Sequence, residues 1–158
     1  METDRLVDEL RAERDAFFEA LSIVAPESMT TPGLIGEWSA RELIAHLGYW
    51  AGHGVEAIHA VETGRADEFG ADRLTVDAIN ATVARIARQA DLATVRKREA
   101  ASVEAFVERL HGMDASLLAS PLPHHGLTLE AGIREDGASH YREHADDLRR
   151  VLEERPHG

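Results

Sequence analysis

His140 and His144 stand one helical turn apart in the stretch Ser139-His-Tyr-Arg-Glu-His-Ala-Asp-Asp-Leu148. On a helix, positions i and i+4 share one face with Cβ atoms roughly 5–6 Å apart. That spacing lets two imidazoles hold a single metal ion. A third histidine, His46, lies far upstream on a second helical pattern. Three neutral imidazoles suit zinc, nickel or ferrous iron, at about 2.0–2.1 Å for zinc. They leave coordination positions open, the catalytic rather than the closed structural kind of site. An ion there would activate a bound water, or a ligated substrate oxygen or thiol. The plain alternative is that such a pair arises by chance in a chain with nine histidines.

At 100° per residue, His46 falls at the edge of its helix's apolar stripe. His53 continues that edge two turns on, about 10 Å along the axis, too far to share the ion but placed to line the same groove. In the last helical pattern Ile133, Tyr141, Leu148, Val151 and Leu152 mark the buried face, with His140 and His144 at its margin beside Asp136 and Asp147. Asp136, Asp147 and Glu42 are candidates to orient the ligating rings, although Glu42 also fits a capping box. Tyr49, Trp50 and His53 could instead line a pocket for an apolar small molecule. The pair His124-His125 reads as exposed, with the option of overhanging the cleft, and His59, His111 and His157 as surface or capping residues. Ser39 reads as a helix cap and not as a nucleophile, because a capping hydroxyl is already engaged.

The elements that must position these residues follow from periodicity. Leu6, Leu10, Phe17, Leu21 and Val24 predict an amphipathic helix over 4–24, ended by Pro26. Ser39 as N-cap and Glu42 at N3 form a capping box, with Trp38 and Leu43 able to close a hydrophobic staple. The helix behind it runs through Leu43, Leu47, Trp50, Ala57, Ile58 and Val61 to near Gly64. A third segment, Leu74 to Gln89, places Val76, Ile79, Val83 and Ile86 on one face. Asp91 caps a fourth helix that ends at His111-Gly112. Residues 114–120 suggest a short helical turn and Pro121 to Gly126 a loop. One last helix is expected from about Glu130 to Glu154, with Gly132 and Gly137 tolerated inside it at some cost. Strand alternation is not sustained anywhere. The expectation is an all-α bundle.

Bulk properties bound the function. A chain of 158 residues is expected to form one domain, 1–158, able to bury roughly 68–70% of its unfolded surface. No cysteine is present, so there is no disulfide, thiolate ligand or cysteine nucleophile, and nitrogen and oxygen must hold any metal. The formal charge of −12 repels phosphate backbones and anionic lipid, which argues against nucleic-acid and membrane partners. Arg96-Lys97-Arg98 is too short a basic run to reverse this. No apolar run near 20 residues suggests a membrane span. The charged start, without an apolar core, makes a cytoplasmic location the expectation. No Gly-rich phosphate loop follows a strand.

Two segments carry a family resemblance. Glu37-Trp-Ser-Ala-Arg-Glu-Leu-Ile-Ala-His-Leu47 resembles the W-S-x-x-(D/E)-x-x-x-H-(L/I) segment of the DinB-like superfamily. His140-Tyr-Arg-Glu-His-Ala-Asp-Asp-Leu148 resembles that superfamily's last-helix H-Y-x-x-H segment, and with Val76-Asp77-Ala-Ile-Asn80 it is most similar to the DfsB-like branch. The resemblance implies an up-down-down-up four-helix bundle with an additional short helical segment, often a homodimer. It implies a histidine triad for a divalent metal, nickel, zinc, iron or manganese, at His46, His140 and His144. It also implies kinship with thiol-dependent enzymes, among them bacillithiol transferases and mycothiol-dependent maleylpyruvate isomerase. The DfsB-like branch includes proteins that protect the producer of a reactive natural product, in which metal need not be the essential element. The loop Pro121 to Gly126 lacks the tryptophan expected of closer relatives.

Three functions are therefore in play. The first is a metal-dependent hydrolase or thiol transferase acting on a small molecule, with a low-molecular-weight thiol as candidate cosubstrate. The second is a metal-independent small-molecule binding or resistance protein. The third is a non-catalytic helical interaction protein.

Overall fold

The computed structural model describes residues 1–72 and 74–155, so the expectation for His157 lies outside the described residues. It is an all-α bundle of α1 (Glu2–Leu21), α2 (Ala40–Glu62), α3 (Val76–Ala87), α4 (Leu92–Gly112), α5 (Leu129–Asp136) and α6 (Ala138–Glu154), with 3₁₀ turns at Pro26–Met29 and Ala115–Ala119. The four long helices α1, α2, α4 and α6 make the bundle, and their mutual contacts fix its topology. Arg14 reaches Glu99 while Arg11 reaches Glu104, so α1 and α4 run antiparallel. Gly48 lies against Glu99 and Gly54 against Phe106, so α2 and α4 are parallel. His46 meets His140 of α6 and His53 meets Asp136 at the end of α5, so α2 runs antiparallel to the consecutive α5 and α6. The order is up-down-down-up, and α3 is the extra helix that carries the chain back between the two parallel members.

The core is apolar and contiguous. Phe17, Leu43, Ile44, Leu47, Ile58, Phe106, Leu110, Tyr141 and Leu148 are fully buried at its centre. Close approach of α2 to α4 depends on missing side chains. A Cβ at Gly48 would stand 2.9 Å from the Glu99 Cα, and one at Gly54 2.5 Å from the Phe106 ring. No helix among the described residues is long and apolar enough to cross a membrane.

Three expectations are corrected. The last helix is not continuous: α5 ends at Asp136, Gly137 adopts φ −118° and ψ −108°, and α6 begins at Ala138. The break sits where the backbone is crowded, since a Cβ at Gly137 would lie 3.3 Å from both Leu10 and Phe106. The stretch 121–126 is not all loop: β1 (Pro121–Leu122) pairs with β2 (Leu127–Thr128) in a minimal hairpin whose turn contains Gly126 at φ +67°. Third, α3 is buried only through Ala84 and Ala87, and of its large apolar side chains Ile79 and Val83 are half-buried while Val76 is 57% and Ile86 50% exposed.

Candidate metal centre

The local start of α2 places the first histidine. Gly36, at φ +56°, turns the chain so that the Leu34 amide donates to the Trp38 carbonyl at 2.9 Å. Ser39 then caps α2, its backbone N–H donating to Glu42 Oε2 at 2.8 Å and its hydroxyl bonding the same carboxylate. Burial alone would raise the Glu42 pKa, but these bonds and the Arg41 guanidinium hold it below the usual carboxylate range. Glu42 is thus occupied by the cap and by Arg41 and Arg88 at 3.5 and 3.4 Å. The Ser39 hydroxyl is engaged, as a cap requires. Two turns into α2, His46 emerges under the Trp38 ring, centroid to centroid 4.9 Å.

The break at Gly137 sets the other two rings in the first turns of α6. His46 Nε2 and His140 Nε2 are 2.7 Å apart, and the His144 ring centroid lies 5.1 Å from that of His46 and 4.8 Å from that of His140. One nitrogen from each ring lies within 4.8 Å of the others. His144 Nδ1 donates to Asp147 Oδ2 at 3.1 Å, which leaves its Nε2 lone pair free. Burial, reinforced by the His144 ring, pushes His46 down to about 4. Burial, then the His46 and His144 rings, pushes His140 down to about 3. Both rings are neutral at pH 7 and present lone pairs, the protonation state a metal ligand needs.

The donor set fits a divalent ion. Two ligand nitrogens on one ion at about 2.0–2.1 Å lie at most about 4.2 Å apart, so small side-chain rotations close the group. The backing of the rings is uneven. His144 has a carboxylate behind it, whereas His46 Nδ1 and His140 Nδ1 are buried without a partner among the described residues.

The three rings floor a cleft of about 420 Å³ whose walls are Trp38, Trp50, Val76, Asn80, Glu135, Asp136 and Glu143. Trp50 Nε1 donates to Asn80 Oδ1 at 2.9 Å, pinning α3 over the cleft. The other sequence candidates fall in three places. Asp147 backs the triad. Asp136 lines the cleft but is engaged by His53, whose Nδ1 is 2.7 Å from Asp136 Oδ2. Burial raises the Asp136 pKa, and the His53 contact opposes that rise. His53 itself stands back from the triad among Trp50, Phe69 and His125, at centroid distances of 4.8, 4.7 and 5.5 Å. The exposed His125 also stacks on Phe69 at 4.8 Å, so the hairpin overhangs this flank. Tyr49 does not enter the cleft and lines a separate cavity between α2, α3 and α4.

The sequence reading missed Trp38, Asn80, Glu135 and Glu143 as cleft residues. Glu143 carried a signal, lying one helical turn beyond His140. Trp38 and Asn80 stood in the segments that carry the family resemblance, but their place in the cleft depends on how the turn at Gly36 and α3 fold back over α2.

A family model described as DinB superfamily matches residues 9–153 of the chain. No curated protein and no solved structure matches it.

Proposed function

The chain belongs to the DinB superfamily, and from that membership we propose that His46, His140 and His144 hold a divalent metal ion serving an enzyme of hydrolytic or thiol-transfer type. The observation that carries this reading is the convergence of three histidine nitrogens, from α2 and α6, within 4.8 Å at the floor of an open cleft. An all-nitrogen donor set favours zinc, nickel or ferrous iron. When bound, such an ion supplies Lewis acidity, lowering the pKa of a coordinated water or thiol or polarising a substrate oxygen.

The chain's own residues do the rest. Asp147 accepts from His144 Nδ1, fixing the tautomer that offers Nε2. Trp38, packed on His46, shields that ring from water. Trp50 and Val76 give the substrate an apolar wall, while Asn80, Glu135 and Glu143 are the polar groups around it. A low-molecular-weight thiol as cosubstrate, and a homodimer as the assembly, belong to the same proposal.

A second reading rests on the 2.7 Å between His46 Nε2 and His140 Nε2. That distance is also a hydrogen bond between two neutral imidazoles, as in a metal-free cleft that binds a small molecule. Elemental analysis of untagged protein after zinc or nickel loading separates the two readings. Stoichiometric metal in the native chain and none in His140→Ala supports the metal centre. Metal-free protein in both cases ends it.

A further inference from the structure

A second cavity lies away from the histidines, and nothing in the proposed chemistry uses it. It occupies about 250 Å³ between α2, α3 and α4. Its walls are Tyr49, Val83, Ile86 and Val95, and it exists because Ala45, Gly48 and Ala87 put no bulk into the gap. Glu99 closes the floor, but its carboxylate already accepts from Arg14 and Tyr141, so its charge is compensated. Arg98 stands at the cavity edge. Among the described residues its guanidinium makes no ion pair, and neither the Tyr49 nor the Ser102 hydroxyl makes a hydrogen bond. In a chain of net charge −12, a free cation beside an apolar cavity selects ligands by sign.

We infer that this cavity binds a compact bicyclic aromatic carboxylate, its rings between Val83, Ile86 and Val95 and its carboxylate at Arg98. Size supports the ring count: an apolar cavity of about 150 Å³ admits benzene, and this one is larger by room for a second ring. Charge supports the carboxylate, since the guanidinium fork matches its two oxygens. The site is distinct from the metal cleft, so it stands whether or not the histidines bind metal.

The test uses 2-naphthoate as probe and 2-naphthamide as its uncharged match, followed by amide chemical shifts of the full chain. The expected result is saturable binding of both, with the largest shifts at Val83, Ile86 and Val95. Arg98→Gln should weaken 2-naphthoate roughly three- to fivefold, the scale of an exposed ion pair, and leave 2-naphthamide unchanged. Val83→Trp should fill the space and abolish both, with the melting transition confirming that it folds. Since Val83 is only partly buried, that variant is less exposed to misfolding than one at Ala87. Four outcomes overturn the inference. One is no shift at millimolar probe. Another is shifts confined to the histidine cleft, or equal weakening of both probes by Arg98→Gln. The last is binding that vanishes as the chain dimerises with rising concentration, which would give the cavity to a second copy.

Discussion

Tyr141 and His140 are neighbours on α6, yet the polar regions they enter follow opposite rules. The Tyr141 hydroxyl donates to Glu99 Oε1 at 2.6 Å, and Arg14 adds two bonds of 2.7 Å to the same carboxylate. Glu99 is 1% exposed, and three donors meet its charge. On the adjoining face, His46 and His140 meet only each other through Nε2, and their buried Nδ1 atoms have no partner among the described residues. Burying a polar group costs little once it is bonded and a good deal when it is not. The Glu99 region is a completed structural network. The histidine region gathers one nitrogen from each of three rings within 4.8 Å, an arrangement that suits a ligand better than the apo fold.

The comparison is tested most severely by removing one member from each side. Glu99→Ala leaves the Arg14 charge and the Tyr141 hydroxyl without their acceptor, and it should lower stability by about 3–5 kcal/mol. The lower end applies, because Arg14 keeps 27% of its side chain exposed. His140→Ala in metal-free protein should cost about 1 kcal/mol or less. Denaturant midpoints at unchanged slope read both values, and equal losses would erase the distinction.

Zinc should reverse the ranking. At free zinc a hundredfold above its dissociation constant, a single site adds about 2.7 kcal/mol to the native state. His140→Ala should gain nothing from zinc, while Glu99→Ala should gain as much as the native chain does. Zinc stabilisation that survives His140→Ala would place binding elsewhere.

How far the two regions were legible in sequence differs for the same physical reason. The triad could be read because His140 and His144 are one turn apart and His46, although 94 residues from His140, stands in a family-like segment behind a capping box that fixes where α2 begins. The Glu99 network could not, since Arg14 lies 85 and Tyr141 42 residues away, and periodicity names a buried face without naming its neighbour. The break at Gly137 was missed because one glycine costs a helix only about 1 kcal/mol, and the apolar pattern runs on through it. The half-exposed stripe of α3 shows the same limit. Val76, Ile79, Val83 and Ile86 announce an amphipathic helix, but only tertiary packing decided that Ala84 and Ala87 would face α2.

Within the histidine region a finer contrast lies between two acids. Asp147 backs a triad ring, whereas Asp136 is held by His53. Asp147→Asn should weaken zinc binding about 10–100-fold, the usual effect of losing the group behind a ligating histidine. Asp136→Asn should leave zinc affinity near the native value. Competition against a chromophoric chelator measures both, and equal losses would show that the His53 pair also supports the triad.

The smallest effect separates the two regions by pH. His46 and His140 are pushed down from 6.5 to about 4 and about 3, so below pH 6.5 the unfolded chain takes up protons that the metal-free native state refuses. Their stabilisation is complete above pH 6.5 and is lost as pH falls through that window, on the order of 1 kcal/mol per ring by pH 5.5. Most carboxylates titrate lower, so the interval from 6.5 to 5.5 belongs mainly to histidine. Tyr141 behaves in the opposite sense. Burial first, then the Glu99 charge, raises its pKa well above 10, so its contribution is intact below pH 10 and is lost as pH rises beyond it. Stability of metal-free protein should therefore decline at both ends, with separate causes. His140→Ala should flatten the acid limb alone and Tyr141→Phe the alkaline limb alone. If either substitution flattens both limbs, the two faces of α6 are energetically one region.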